Sequence, residues 1–214
     1  MEATAAARGD EIEVPPAPGA DRFVALDFAN SAVALTGGHV LDLLGTPGRA
    51  KAWLTAHQLA PVDAGMLDQC AAQLRGMREH IRTLIAARVA ELPPPQSAIR
   101  AVNDAMTRVP TASLLRWDAA HGLHRQPSHP TTQVLDHALA VLCADAAELL
   151  TSAEGDLLTA CGATPCQRYL LRTHGRRQWC SVRCGDRVRA ARAYARRTGA
   201  AAPPARTTDV GKPG

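Results

Sequence analysis

Cys161-Gly162-Ala163-Thr164-Pro165-Cys166 and, after thirteen intervening residues, Cys180-Ser181-Val182-Arg183-Cys184 decide how the last quarter of this chain is read. The two short-spaced pairs, Cys161-x4-Cys166 and Cys180-x3-Cys184, present four soft thiolates from two tight loops, the donor set of a closed tetrahedral Zn²⁺ site. The expected cofactor is one structural zinc held by Cys161, Cys166, Cys180 and Cys184. Between the pairs, residues 167–171 and 176–179 flank Arg172-Thr173-His174-Gly175, which predicts a β-hairpin with Gly175 at the turn and His174 at its tip. Knuckle, hairpin and a following helix around one metal make a treble-clef-like plan. A stretch this basic and this poor in apolar residues has little besides the metal to fold it.

Charge separates the same stretch from the rest. Residues 161–199 hold ten arginines against one acid, Asp186, for a net +9, whereas residues 1–160 hold twelve Lys/Arg against eighteen Asp/Glu, for a net −6. The overall +4 thus hides an acidic body joined to a basic module, an asymmetry that points to a polyanion partner for the module alone. On the helix after Cys184, steps of 100° per residue gather Cys184, Val188, Ala191 and Ala195 in one sector and Arg189, Arg192 and Arg196 on a flank. Arg176, Arg177, Arg183, Arg187, Arg189, Arg192, Arg196 and Arg197 are the candidate DNA contacts.

Length and composition bound the remainder. With 214 residues, 46% hydrophobic and only 3% aromatic, the chain can fill one moderate core plus a small metal-stapled module, and its alanine- and leucine-rich body should be mainly helical. The expected fold class is mainly α (α+β): a disordered tail over 1–21, a helical domain over 22–157, the zinc finger over 158–199 and a second disordered tail over 200–214. The N-terminal stretch lacks the apolar region of a signal peptide, and no apolar run approaches a membrane span. The expected location is therefore the cytoplasm, where cysteines favour metal over disulfide.

Within the body, residues 22–31 read equally as strand or helix. Thr46-Pro47 caps a helix to about His57 with Trp53 and Leu54 inward. Asp63 is expected to cap a long helix whose buried stripe is Leu67, Cys70, Leu74, Met77, Ile81, Leu84 and Ile85, ended by Pro93-Pro94-Pro95. A helix over 97–107, a short strand over 112–117, a loop over 118–130 carrying His121, His124 and His129, and a helix over 131–151 follow. Cys70 and Cys143 read as small core residues. The three loop histidines read as solvated, because no carboxylate or fourth ligand converges with them in sequence.

Trp179-Cys180-Ser181-Val182-Arg183-Cys184-Gly185-Asp186-Arg187 resembles the signature of the CGNR zinc fingers. Upstream, Leu26-Asp27-Phe28-Ala29-Asn30-Ser31 and the stretch from Leu74 to Arg82 are similar to the ABATE domain that precedes this finger in bacterial proteins. The resemblance covers about residues 22–197. It implies a stress-induced transcription regulator, a DNA-binding finger and a body that senses a small ligand. Three positions depart from the pattern: Asp186 replaces the usual asparagine, the second cysteine pair has three intervening residues where four are expected, and Arg172 replaces an acid. Asp186 at a positive helix N-terminus favours the helix while repelling phosphate locally.

The expected function is a zinc-dependent DNA-binding transcriptional regulator whose N-terminal domain senses a ligand or dimerises. The alternative is a zinc-stabilised protein-interaction module, since such fingers serve many roles. An enzyme built on the helical body is disfavoured, because the sequence shows no nucleophile–base pair and no phosphate-cradling glycine loop. Asp27, Asn30, Arg78 and Arg82 admit two readings. In one, Asp27 pairs with one of the arginines as a buried ion pair; in the other, the four line a small polar pocket for an anionic metabolite.

Overall fold

The structure, a computed structural model, describes residues 14–109, 113–127, 133–175 and 177–199. The undecided segment after residue 22 is a helix, α1 (Val24–Ala29), and it lies at the centre of the body with Ala25, Leu26, Phe28 and Ala29 fully buried. Two longer helices, α3 (Asp68–Val89) and α5 (Val134–Thr151), pack against it, and α4 (Gln96–Arg108) packs on those two. α2 (Pro47–Ala56) starts where the sequence places it, with the Thr46 hydroxyl accepting the Arg49 N–H at 3.3 Å and Trp53 and Leu54 buried. Trp53 packs on Phe28 with ring centroids 5.4 Å apart. At the buried N-terminus of α1, an Asp145 carboxylate oxygen from α5 accepts the Ala25 N–H at 2.7 Å, filling one of the donors that a helix start leaves open.

Two expectations for the body are corrected. Asp63 does not cap α3; it lies in a turn closed by an Ala64 N–H to Pro61 carbonyl bond of 3.1 Å, and α3 begins at Asp68 with Leu67 as its cap residue. Leu67 is consequently exposed, and the buried stripe is Ala71, Leu74, Arg78, Ile81, Leu84 and Ile85, with Ala87. Pro61 and Gly65 punctuate the chain before the periodic pattern can start. The expected histidine loop is half of a hairpin: β3 (Ser113–Asp118) pairs antiparallel with β4 (Gly122–Pro127), Trp117 opposite Leu123. Asp118 turns it, accepting the backbone N–H groups of Ala120 and His121, an Asx-type turn that sequence periodicity does not register. His121 and His124 lie at 3.1 and 3.6 Å from Asp118 oxygens; His129 lies outside the described residues. Cys143 is fully buried, and burial pushes its thiol up to about 12; Cys70 is half-buried.

A second pair of strands, β1 (Ala32–Ala34) and β2 (Val40–Asp42), leads from α1 into α2. The third, β5 (Leu158–Ala160) with β6 (Tyr169–Leu171), joins body and finger. Alternation along β6 does this directly. Leu170 packs among the finger's cysteines, whereas Tyr169 and Leu171 pack on the body core together with Leu158. No linker separates the two regions; they share a strand. On its far side β6 is covered rather than left as an open edge. The Asn30 side chain accepts the Tyr169 N–H at 2.8 Å and donates to the Tyr169 carbonyl at 2.9 Å, and the Pro18 carbonyl accepts the Leu171 N–H at 2.8 Å.

The Pro18 bond corrects the extent of the N-terminal tail. From residue 14 onward the chain packs as a strap across the finger: Ala17 is buried among the cysteines, and Gly19, at φ +93°, sits where a Cβ would come within 2.5 Å of the Leu171 side chain. Proline fixes the backbone of 15–18 at little entropic cost, so a short, weakly apolar segment can be held. Among the described residues no helix is long and apolar enough to cross a membrane.

Candidate metal centre

Cys161 follows β5 and Cys166 closes the tight loop beyond it; the Cys166 N–H donates to the Ala163 carbonyl at 2.7 Å. Cys180 precedes α6 (Val182–Thr198), and Cys184 occupies that helix's first turn, where Ser181 is the cap and accepts the Cys184 N–H at 3.3 Å. Among the described residues the predicted hairpin between the pairs is not formed. β6 pairs with β5 across the cysteine loop, and the chain beyond it turns through an Arg177 N–H to His174 carbonyl bond of 2.9 Å. Arg172, Thr173 and His174 are exposed, so the segment after Leu171 has no apolar face to lay against a sheet. His174 stands in that turn, outside the cysteine cluster.

All four cysteines are buried, and their sulfurs lie within 4.8 Å of one another. The Cys166 and Cys180 sulfurs are 3.7 Å apart and those of Cys180 and Cys184 3.6 Å. Zn–S bonds of about 2.3 Å in a tetrahedron set sulfurs about 3.8 Å apart, so the donor set and its spacing fit one structural zinc. Hydrogen bonds from neighbouring thiols, Cys166 first, lower Cys161 to about 7. The same sharing, led by Cys161, drives Cys184 well below the thiol range and pushes Cys166 and Cys180 above it. Among the described residues this is the one cluster of three or more potential metal ligands.

Two guanidinium groups face the sulfurs. Nη2 of Arg187 donates to the Ala163 carbonyl at 3.2 Å and reaches Cys184 Sγ at 3.5 Å, while Arg168, buried, has Nη1 4.0 Å from Cys180 Sγ. Arg187, expected on the DNA face, is turned toward the metal centre. The Cys184-to-Ala195 sector of α6 is buried or half-buried as read from the sequence, and Arg189, Arg192, Arg196 and Arg197 are exposed. Arg189 is partly engaged, pairing with Asp186 at 2.6 Å and lying 5.9 Å over the Trp179 ring. Trp179 in turn needs Gly185, since a Cβ there would meet its ring at 3.2 Å. Exposed Arg177 and Arg183, with Arg189 and Trp179, line a groove of about 910 Å³ whose opposite wall is the proline strap. Arg176 lies outside the described residues.

Each of the four polar residues singled out in the body is bonded within the fold. Asp27 pairs with His57 Nε2 at 3.0 Å instead of with an arginine; burial, opposed by Asp27, lowers the His57 pKa. Asn30 is the clamp on β6. Arg82 donates to the Ala29 carbonyl at 2.6 Å and to the Gln167 carbonyl at 2.9 Å, and lies over the Tyr169 ring. Arg78, buried, grips Asp42 with both Nη atoms at 2.6 and 3.0 Å, and also bonds Ser31 Oγ and Glu79. Burial alone would raise the Asp42 pKa, but Arg78, the Leu44 N–H and Arg75 together bring it below its ordinary value. The criterion that singled out Asp27, an acid inside an apolar run, would also have found Asp42 within Val40-Leu41-Asp42-Leu43-Leu44. Arg168 carried no such signal, being one of ten arginines.

A family model described as “Putative stress-induced transcription regulator” (ABATE) matches residues 23–153, and that of the CGNR zinc finger matches residues 158–197. No curated protein matches the chain. The first match covers more than half of the sequence, and the second encloses all four cysteines: this chain belongs to the ABATE family and carries, behind that domain, a CGNR zinc finger with one structural zinc.

Proposed function

We propose that the protein is a cytoplasmic, non-enzymatic transcription regulator that binds DNA through the arginine face of its finger. The observation that carries this reading is the division of α6: one side is anchored on the cysteine cluster, and the other leaves Arg189, Arg192 and Arg196 exposed, with Arg189 on the same groove as Arg177 and Arg183. Guanidinium groups on a rigid helix suit phosphate oxygens, and such contacts set position and affinity without selecting sequence. A site closed by four thiolates leaves no open metal position for catalysis. Asp27, Asn30, Arg78 and Arg82 are each bonded within the fold, so the reading does not extend to an anion pocket built from those four.

Replacing Arg189, Arg192 and Arg196 together with alanine in zinc-loaded protein should weaken binding to all duplex sequences and shrink the salt slope by about 0.9 for each phosphate no longer neutralised. Affinity unchanged by the triple substitution, or indifferent to salt, would turn the reading toward a protein partner for the same face.

A further inference from the structure

Arg168 is only 4% exposed, and among the described residues no carboxylate pairs with it. Its Nη2 donates to the Pro15 carbonyl at 2.9 Å, its Nη1 lies 4.0 Å from Cys180 Sγ, and its Nε is buried without a partner. A buried guanidinium requires a compensating anion. Among the described residues the anionic group set against it is the thiolate cluster, which carries about −2 with Zn²⁺ in place. Arg187, with Nη2 3.5 Å from Cys184 Sγ and its own Nε buried and unpaired, supplies the second positive charge. Of the two, only Arg168 also holds the strap. That strap has two further anchors, Ala17 among the cysteines and the Pro18 carbonyl on the Leu171 N–H, and it forms one wall of the arginine-lined groove.

We propose that Arg168 couples metal occupancy to the strap: its guanidinium is compensated by the loaded thiolate centre and in turn seats residues 14–19 across the finger. Loss of the metal releases Cys180 from a fixed centre, so Nη1 no longer has a sulfur held opposite it. The bond to Pro15 then weakens, and the strap loses that seat as the finger opens. Arg168 is thus a positioning residue for the metal centre, and the strap reports whether the centre is filled.

Coupling of this kind is reciprocal, which allows it to be tested from both ends on the full chain. Zinc affinity is read by competition with a chromogenic chelator, and strap seating by amide exchange at Leu171. Arg168→Met should lower zinc affinity about 10- to 100-fold, the usual cost of losing a group that supports metal ligands. At saturating zinc it should also speed Leu171 exchange toward the rate of the metal-free native protein. Arg168→Lys, which keeps the charge but not the fork, should retain more zinc affinity than the methionine variant. From the other end, Gly19→Val places a Cβ against Leu171 at a positive φ and unseats the strap without touching a cysteine or Arg168. It should weaken zinc binding by the factor by which zinc slows Leu171 exchange in the native chain. Zinc affinity within about twofold of native in Gly19→Val would overturn the coupling, and so would Arg168→Met with native zinc affinity and native Leu171 exchange. If Arg168→Met does not fold, the glycine variant alone decides.

Discussion

The two cores of this molecule are built on different physics. In the body, Leu26, Phe28, Leu44, Leu54, Leu74, Ile81, Ile85, Leu142 and Leu149 are all fully buried, and each large apolar side chain contributes roughly 1.5–3 kcal/mol. In the finger, Leu170 is the one large aliphatic side chain fully buried among Ala17, Ala163 and the four cysteines. Ordering the backbone costs about 1–2 kcal/mol per residue, which so little apolar burial cannot offset. Where apolar volume is absent, a metal and a buried guanidinium take its place. The two solutions meet on β6, whose alternate side chains serve one core each.

Zinc removal should break the comparison most visibly. Chelation, or Cys180→Ser, withdraws an apparent binding free energy of about 10–16 kcal/mol. The α6 amides should then exchange freely while α3, α4 and α5 stay protected. Residue-resolved hydrogen exchange checks this, and simultaneous opening of α3 and α6 would mean that the shared strand has made one cooperative unit of the two cores.

A smaller perturbation should act from the body side. Arg78→Met strands Asp42 and should cost about 3 kcal/mol, the lower end for a broken buried pair, because the Asp42 side chain is still 24% exposed. Urea unfolding measures the loss, and zinc content should be unchanged. The pair also sets a pH dependence. Because Asp42 titrates below its ordinary value of 3.8 in the folded chain, its contribution is complete at neutral pH, begins to fall as pH approaches 3.8 and is lost through the lower folded value. The methionine variant should show less acid destabilisation than the native chain over that window.

The smallest effect should come at the junction. Asn30→Ala removes both bonds to the Tyr169 backbone, leaving a buried donor and acceptor unpaired at a cost of about 1–3 kcal/mol. It should sharpen the distinction between the cores, separating the exchange of β6 from that of α1. Identical exchange in variant and native protein would locate the coupling elsewhere, on Arg82 or on Leu171.

Local signals were legible where one segment carries its own reason. Thr46-Pro47 states a helix start, the long apolar stripe of α3 states a buried face, and four cysteines in two pairs state a metal site. The start of α3 was misplaced because Asp63 offers the same capping chemistry as a true cap, and only the turn at Pro61 excludes it. The finger's sheet was misassigned for a related reason: β6 could pair with the segment on its C-terminal side or with β5 on its N-terminal side. Distance along the chain favours the former, while the need to bury Tyr169 and Leu171 against the body selects the latter.

By itself, the amino-acid sequence determined the helical class, the closed four-thiolate donor set, the concentration of positive charge on α6 and the family to which the chain belongs. Each of these rests on composition or on spacing within a few turns of chain. Only the tertiary structure decided that Arg78 belongs to Asp42 and Asp27 to His57, that Arg187 faces sulfur rather than solvent, and that Arg168 bridges the proline strap and the metal centre. Partner choice among charged side chains depends on which groups lose water together, and residues 36 and 153 positions apart, as in Arg78–Asp42 and Arg168–Pro15, meet only after the cores have closed.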